Sequence, residues 1–302
     1  SASRRDALES ICQCSTLAGT GTSRDNGAMF KALTVIALSL LAVTSANAQL
    51  PPDVARTLSQ AGIPEQAVSL WVQALTNQPP RWTHHENEPR NPASVMKLLT
   101  SQAALDLLGP AYSWETAALA DGPIIAGELK GNLILRGSGD PFLTWDRFAV
   151  LLRELRERGL RKIEGKLVLD HSHFELEKVD SAHFDGNGAR AYNAQPDALL
   201  LNFNAITLRL SPQSDGRVRV QATLPLADLL IDNHLKTTPG DCLDWKTQVA
   251  PTITNSHGKI HIKLPGSYPF TCGEKYLNLA APDSLALVGS AFTALWRELG
   301  GE

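Results

Sequence analysis

The sequence predicts an α/β (α+β) protein in which a serine-bearing helix is followed by a large, mostly β stretch. Three observations lead there. Residues 95–108 form an apolar, helix-forming run closed by Gly109-Pro110. From about residue 113 to 272, short apolar runs alternate with turn residues, the texture of many short strands. Inside that stretch, residues 131–137, 144–158 and 163–170 read in turn as strand, helix and strand.

Composition sets the outer bounds. A chain of 302 residues has room for two or three domains, and 43% hydrophobic with 20% charged residues is the balance of a folded protein. A net charge of -3, without a basic stripe or a phosphate-cradling glycine loop, gives no reason to expect nucleic acid as a partner. The eight histidines are scattered. His84-His85 and His171-x-His173 lack a third ligand nearby, so they read as surface or strand histidines, and no metal is expected.

Taken in order, residues 1–28 lack an initiator Met and read as upstream, non-native sequence; Cys12 and Cys14 fall here with too few partners for a metal site. Residues 29–48 have the parts of a signal peptide. Lys31 gives a short positive region, Ala32 to Val43 an apolar run too short to span a bilayer comfortably, and Ala46-Asn47-Ala48 a small-x-small cleavage site. Cleavage after Ala48 makes Gln49 the mature N-terminus of a periplasmic protein with no stable transmembrane anchor. Export implies an oxidising compartment, and only Cys242 and Cys272 remain after cleavage. Two cysteines in an exported chain favour one disulfide stapling a turn-rich region; the other reading is two free thiols.

Residues 52–61 read as a short helix stopped by Gly62. Val68, Leu70 and Val72 alternate as a strand, Asn77-Gln78-Pro79-Pro80 turns the chain, and a second strand around Trp82 completes a hairpin. The hairpin leads to Asn91-Pro92-Ala93-Ser94-Val95-Met96-Lys97. Ser94 and Lys97, three residues apart at a helix start, share one helical face. A serine hydroxyl becomes a useful nucleophile only when a nearby base takes its proton. Lys97 could do so as a neutral amine, a form that burial or a second cation favours. The helix N-terminus adds partial positive charge and backbone donors for a developing oxyanion. The run Val95, Leu98, Leu99, Ala103, Leu105, Leu108 is apolar on most sides, which predicts a buried central helix.

Beyond Pro110, Ser138-Gly139-Asp140-Pro141 is a turn. Thr144 stands as N-cap of a helix with Phe148, Leu151, Leu152 and Leu155 on one face and Gly159 at its end. Residues 192–196 read as a loop. Residues 199–210, 217–224 and 260–264 read as strands, and 274–279 leads into a final helix over 282–299.

Asn-Pro-Ala-Ser-Val-Met-Lys at 91–97, Gly-Asn-Leu-Ile-Leu-Arg-Gly-Ser-Gly-Asp-Pro at 131–141 and Tyr-Asn-Ala-Gln-Pro-Asp-Ala-Leu at 192–199 occur in that order. With these landmarks the chain resembles, from about Gln49 to its last residue, the penicillin-binding protein 4 type of D-alanyl-D-alanine carboxypeptidase/endopeptidase. The resemblance implies part of a β-lactamase/transpeptidase-like serine domain. On that plan 49–112 is its N-terminal part, 113–272 the inserted strand-rich domain or domains, and 273–302 the start of the return. It further implies Ser94 as the nucleophile acylated by a stem peptide of peptidoglycan, Lys97 as general base, and the Ser94 N–H as half of an oxyanion hole. Asp185 is its match for the acidic residue near the substrate's side-chain amine. β-Lactams are implied as covalent inhibitors, and no cofactor.

One departure matters. This superfamily uses Ser-x-x-Lys, then Ser-x-Asn, then Lys-Thr-Gly. No Ser-x-Asn follows Ser94. Tyr276-Leu277-Asn278 has a related form but falls in an expected strand, and Lys236-Thr237-Thr238 and Lys246-Thr247-Gln248 precede it, in the wrong order. The expectation is a chain that ends before its second and third motifs. The alternative function is then a non-catalytic periplasmic remnant that binds peptidoglycan or a partner. A β-lactamase is a weaker third reading, because such enzymes follow the motif with a helical domain.

Overall fold

The computed structural model describes residues 50–177 and 179–302. The expected signal peptide, its cleavage point and Cys12 and Cys14 lie outside the described residues. The chain divides into two units, 1–106 and 107–302. The sequence reading places its boundary at 112/113 instead.

In the first unit, α1 (Pro52–Gln60) opens with Pro at its first position, where the missing N–H costs nothing. Gly62, at φ 68°, ends it in the left-handed conformation. Strand β1 (Leu70–Val72) pairs antiparallel with β2 (Trp82–His84), Leu70 opposite His84 and Val72 opposite Trp82, so the hairpin forms where the alternation placed it. A 3₁₀ turn at Ala93–Val95 then enters α2 (Met96–Leu108), whose last two residues belong to the second unit.

The expected burial of this helix is not found. No residue of α2 is buried; Leu98 is 73% exposed and Leu107 84%. Its apolar side chains are spread around the helix and offer no single stripe to bury. Among the described residues of the first unit, a two-stranded hairpin and one short helix offer too little surface to cover all sides.

The second unit begins with β3 (Thr116–Ala120), β4 (Ile124–Ile125), β5 (Glu128–Leu129) and β6 (Leu133–Gly137). Helix α3 (Trp145–Glu157) crosses to β7 (Lys162–Ile163) and β8 (Leu167–Asp170). The pairs β5–β7 and β6–β8 are parallel, with Leu133 opposite Leu167, which is the expected strand–helix–strand crossover. Thr144 holds the N-cap position of α3 but makes no side-chain cap bond. The Asp140 carboxylate instead accepts from Phe142 N at 2.8 Å in the preceding turn.

The rest of the unit is β9 (Ala205–Pro212), β10 (Val218–Ala222), β11 (Leu229–Asn233), β12 (Lys236–Thr238), α4 (Trp245–Val249), β13 (Thr252–Ser256), β14 (Lys259–Leu264), β15 (Ser267–Pro269), β16 (Lys275–Ala280) and α5 (Ser284–Glu298). These strands form the sheets β10-β9-β16, β11-β14-β13 and β12-β15. The run expected as one strand from 199 is interrupted. Asn202, Phe203 and Asn204 all have positive φ, so the chain turns there before β9 begins.

Two hydrophobic cores fill this unit. One gathers Phe148 and Leu152 of α3 with Leu129, Leu133, Leu135, Leu199 and Leu201. The other gathers Leu208, Leu210, Ile260, Ile262, Leu264 and Tyr268. Helix α5 serves both: Leu287 enters the second core, whereas Val288, Ala291, Phe292, Leu295 and Trp296 enter the first. Its N-cap Asp283 accepts from Ala286 N at 3.1 Å. Residues 273–302 carry β16 and α5, in the 107–302 unit.

Candidate active site

Ser94 sits where the chain changes direction into α2. The Asn91 side-chain oxygen accepts a hydrogen bond from Ala93 N at 2.9 Å, and Pro92 O accepts one from Val95 N at 2.9 Å. Asn-Pro is a turn-starting pair, and the Asn oxygen acts as its backbone mimic. The turn holds Ala93 at φ 44°, a left-handed conformation that costs an ordinary residue roughly 1–2 kcal/mol. Strain of this kind persists only where neighbouring contacts enforce it. Here it lies directly before the serine.

Lys97, in the first turn of α2, places Nζ 3.0 Å from Ser94 Oγ. The three-residue spacing on one helical face brings the two together, within reach of a nucleophile and its base. Both side chains are exposed, so water competes for the hydroxyl and for the amine.

Asp185 lies in the second unit, and its recorded partners come from its own loop. Oδ1 accepts from Asn187 N at 3.0 Å and from Asn193 Nδ2 at 2.7 Å, and Oδ2 accepts from Arg190 Nη1 at 2.6 Å. Partial burial pushes the Asp185 carboxyl up, but the Asn187 N–H, the Asn193 amide and the Arg190 guanidinium together outweigh it. The net position is below the usual carboxylate range. This geometry fixes the loop that carries Phe184 and Tyr192, both exposed.

Cys242 and Cys272 are joined, Sγ to Sγ, at 2.04 Å. The bridge sits beside the β12–β15 pair, where Thr271 Oγ1 donates to Gly240 O at 2.6 Å and Trp245 meets Tyr268 edge-on at 5.7 Å. Burial pushes the Tyr268 hydroxyl up to about 12, with Glu274 adding to it.

The other sequence candidates separate. Tyr276 and Asn278 stand on the exposed face of β16, Lys236–Thr238 is strand β12, and Lys246–Gln248 lies in α4. Among the described residues, no group of three or more His, Cys, Asp and Glu is placed to hold a metal ion. Sequence reasoning missed one polar cluster. His171 Nδ1 lies 3.0 Å from Asp197 Oδ2, which also accepts from Ser284 Oγ at 2.7 Å. It ties the end of β8 to the start of α5, and no local spacing could have revealed it.

The comparisons with known proteins bear on the family of the chain. The D-Ala-D-Ala carboxypeptidase 3 (S13) family matches residues 50–302. The chain is 36% identical over 144 residues to the D-alanyl-D-alanine carboxypeptidase DacB of Haemophilus influenzae, covering 44% of this chain and 29% of that protein. It is 28% identical over 211 residues to a D-alanyl-D-alanine carboxypeptidase of Actinomadura sp., covering 67% of this chain and 38% of that one. The crystal structure of penicillin binding protein 4 (dacB) from Haemophilus influenzae is similar with a TM-score of 0.56 and 26% identity. That match covers 70% of this chain and 46% of the other. The matched region thus spans 29% to 38% of the length of the two relatives.

Proposed function

The chain belongs to the D-Ala-D-Ala carboxypeptidase 3 (S13) family, and from that premise we propose that it serves as a serine-type D-alanyl-D-alanine carboxypeptidase/endopeptidase acting through an acyl-enzyme on Ser94. One observation carries the assignment of roles: Lys97 Nζ stands 3.0 Å from Ser94 Oγ at the entry to α2. In the reaction Lys97 takes the hydroxyl proton as Ser94 Oγ attacks the carbonyl of the penultimate D-Ala of a peptidoglycan stem peptide. The bond to the terminal D-Ala breaks, its amine takes up a proton, and water then releases the acyl group from the serine. The Ser94 N–H is one donor for the tetrahedral oxyanion. β-Lactams would acylate the same oxygen and remain attached.

Asp185 has a less direct part in this proposal. Its carboxylate braces the 184–193 loop through Arg190, Asn193 and Asn187, and we assign it to the substrate side by family resemblance alone. The signal-peptide reading of residues 29–48 supports a periplasmic location; no helix among the described residues is long and apolar enough to cross a membrane.

A second reading, binding without turnover, is favoured by the exposure of Ser94 and Lys97. The two readings part in a direct assay. A pentapeptide ending in D-Ala-D-Ala should lose free D-Ala in the presence of the protein and keep it with Ser94→Ala. Peptide binding with no D-Ala release from the folded protein selects the second reading.

A further inference from the structure

The sheet β10-β9-β16 buries Leu208, Leu210, Leu277 and Leu279 on one face. Its other face carries a row in register across all three strands, Gln221 opposite Arg209 opposite Tyr276. Arg209, Gln221, Ala222, Thr223 and Tyr276 line a depression of about 270 Å³ there. Tyr276 is 52% exposed, although its ring and hydroxyl are held in place. Its OH donates to Glu274 Oε1 at 3.1 Å, and Glu274 Oε2 accepts from Ser211 Oγ at 3.0 Å. Arg209 Nη2 donates to Gln221 Oε1 at 2.7 Å, which leaves the Gln221 NH₂ as a donor. Beside the row, Thr207 Oγ1 donates to Asn278 Oδ1 at 2.8 Å.

From these positions we infer a binding site for a carboxylate-bearing sugar chain, a β-1,4-linked N-acetylhexosamine polymer with acidic ether substituents. A fixed aromatic ring offers a flat apolar surface with a polar rim, which suits the C–H face of a pyranose. The planar guanidinium and carboxamide beside it suit paired hydroxyl and acetamido groups. Both are already oriented, so little side-chain entropy is lost on binding. Arg209 is the one charged side chain lining the depression, so the complementary ligand carries a negative charge. A peptide adding a strand would need an edge, β10 or β16, and not this face. Nucleic acid would need several cations. The inference deepens the function proposed above, because the peptide cleaved there is attached to such a glycan.

The test is titration of the protein with soluble glycan strands from which all peptides have been removed, leaving their lactyl carboxylates free. Binding is followed by calorimetry, with an uncharged N-acetylglucosamine oligomer of equal length in parallel. The wild type should bind the acidic strand several-fold more tightly than the neutral one. Tyr276→Ala should weaken it at least ~10-fold, and Arg209→Gln should remove the preference for the acidic strand. Thr223→Trp, which fills the depression from an exposed position, should give the same loss if Tyr276→Ala proves unstable. Failure of the wild type to bind, equal affinity for both oligomers, or unchanged affinity in the variants overturns the site. The probe contains no peptide, so glycan binding without acylation at Ser94 would sink the peptidase reading and leave this one standing.

Discussion

Asp170 shows how single residues set the acid limit of the fold. The Ser172 hydroxyl first, and then the Arg136 guanidinium, hold its carboxyl well below the usual carboxylate range. The unfolded chain, with an ordinary aspartate near about 3.9, binds that proton more readily. Stability from this cluster is therefore fully present above about pH 4 and is lost as pH falls through the lower folded value. Asp170→Asn should lower the melting temperature at pH 7 and lower it by a smaller margin at pH 2.5, inside the window where the contribution is being lost; an equal drop at both would remove the charge from the explanation. Ala93 is a second residue-scale case. At φ 44°, Ala93→Gly should relieve strain and stabilise the first unit by about 0.5–1 kcal/mol in denaturant unfolding. The Asn91-Pro92 pair made a turn legible here, but no sequence rule places an alanine in the left-handed region.

The helices differ in what holds them, and truncation should show it. Leu152 of α3 is fully buried, so Leu152→Ala should cost about 2–5 kcal/mol. Leu98 of α2 stands in solvent, so Leu98→Ala should stay within about 0.5 kcal/mol. The bridge between Cys242 and Cys272, separated by 30 residues, belongs to this scale too. Paired replacement, Cys242→Ser with Cys272→Ser, should destabilise the second unit by roughly 3–4 kcal/mol, read from urea midpoints. Elements with strong local signals were legible: α1 between Pro52 and Gly62, the β1–β2 hairpin, the crossover through α3, and α5 behind Asp283. Elements defined by their partners were not. Strands β11 and β12 find parallel partners in β14 and β15 about thirty residues downstream, and neither short run announces that pairing. The exposure of α2 follows because apolar composition reports what a helix could cover and not what lies against it.

For the whole molecule, the Ser94–Lys97 contact was legible in the sequence, since a three-residue helical spacing converts directly into the 3.0 Å separation of Nζ and Oγ. The exposed row on β16 was not legible, because Tyr276 meets Arg209 and Gln221 only through strand pairing across more than fifty residues. Residues 50–302 match the S13 family throughout, while the aligned regions span 29% to 38% of the two relatives. The central claim is that Ser94 is acylated with Lys97 as its base. Intact-mass measurement after incubation with benzylpenicillin tests it most directly, using the wild type, Ser94→Ala and Lys97→Ala, each first shown to be folded. The account predicts one penicilloyl adduct on the wild type, mapped to the peptide containing Ser94, absent in Ser94→Ala and at least ~100-fold slower to form in Lys97→Ala. A folded wild type that gains no adduct, or an adduct that persists in Ser94→Ala, would contradict it.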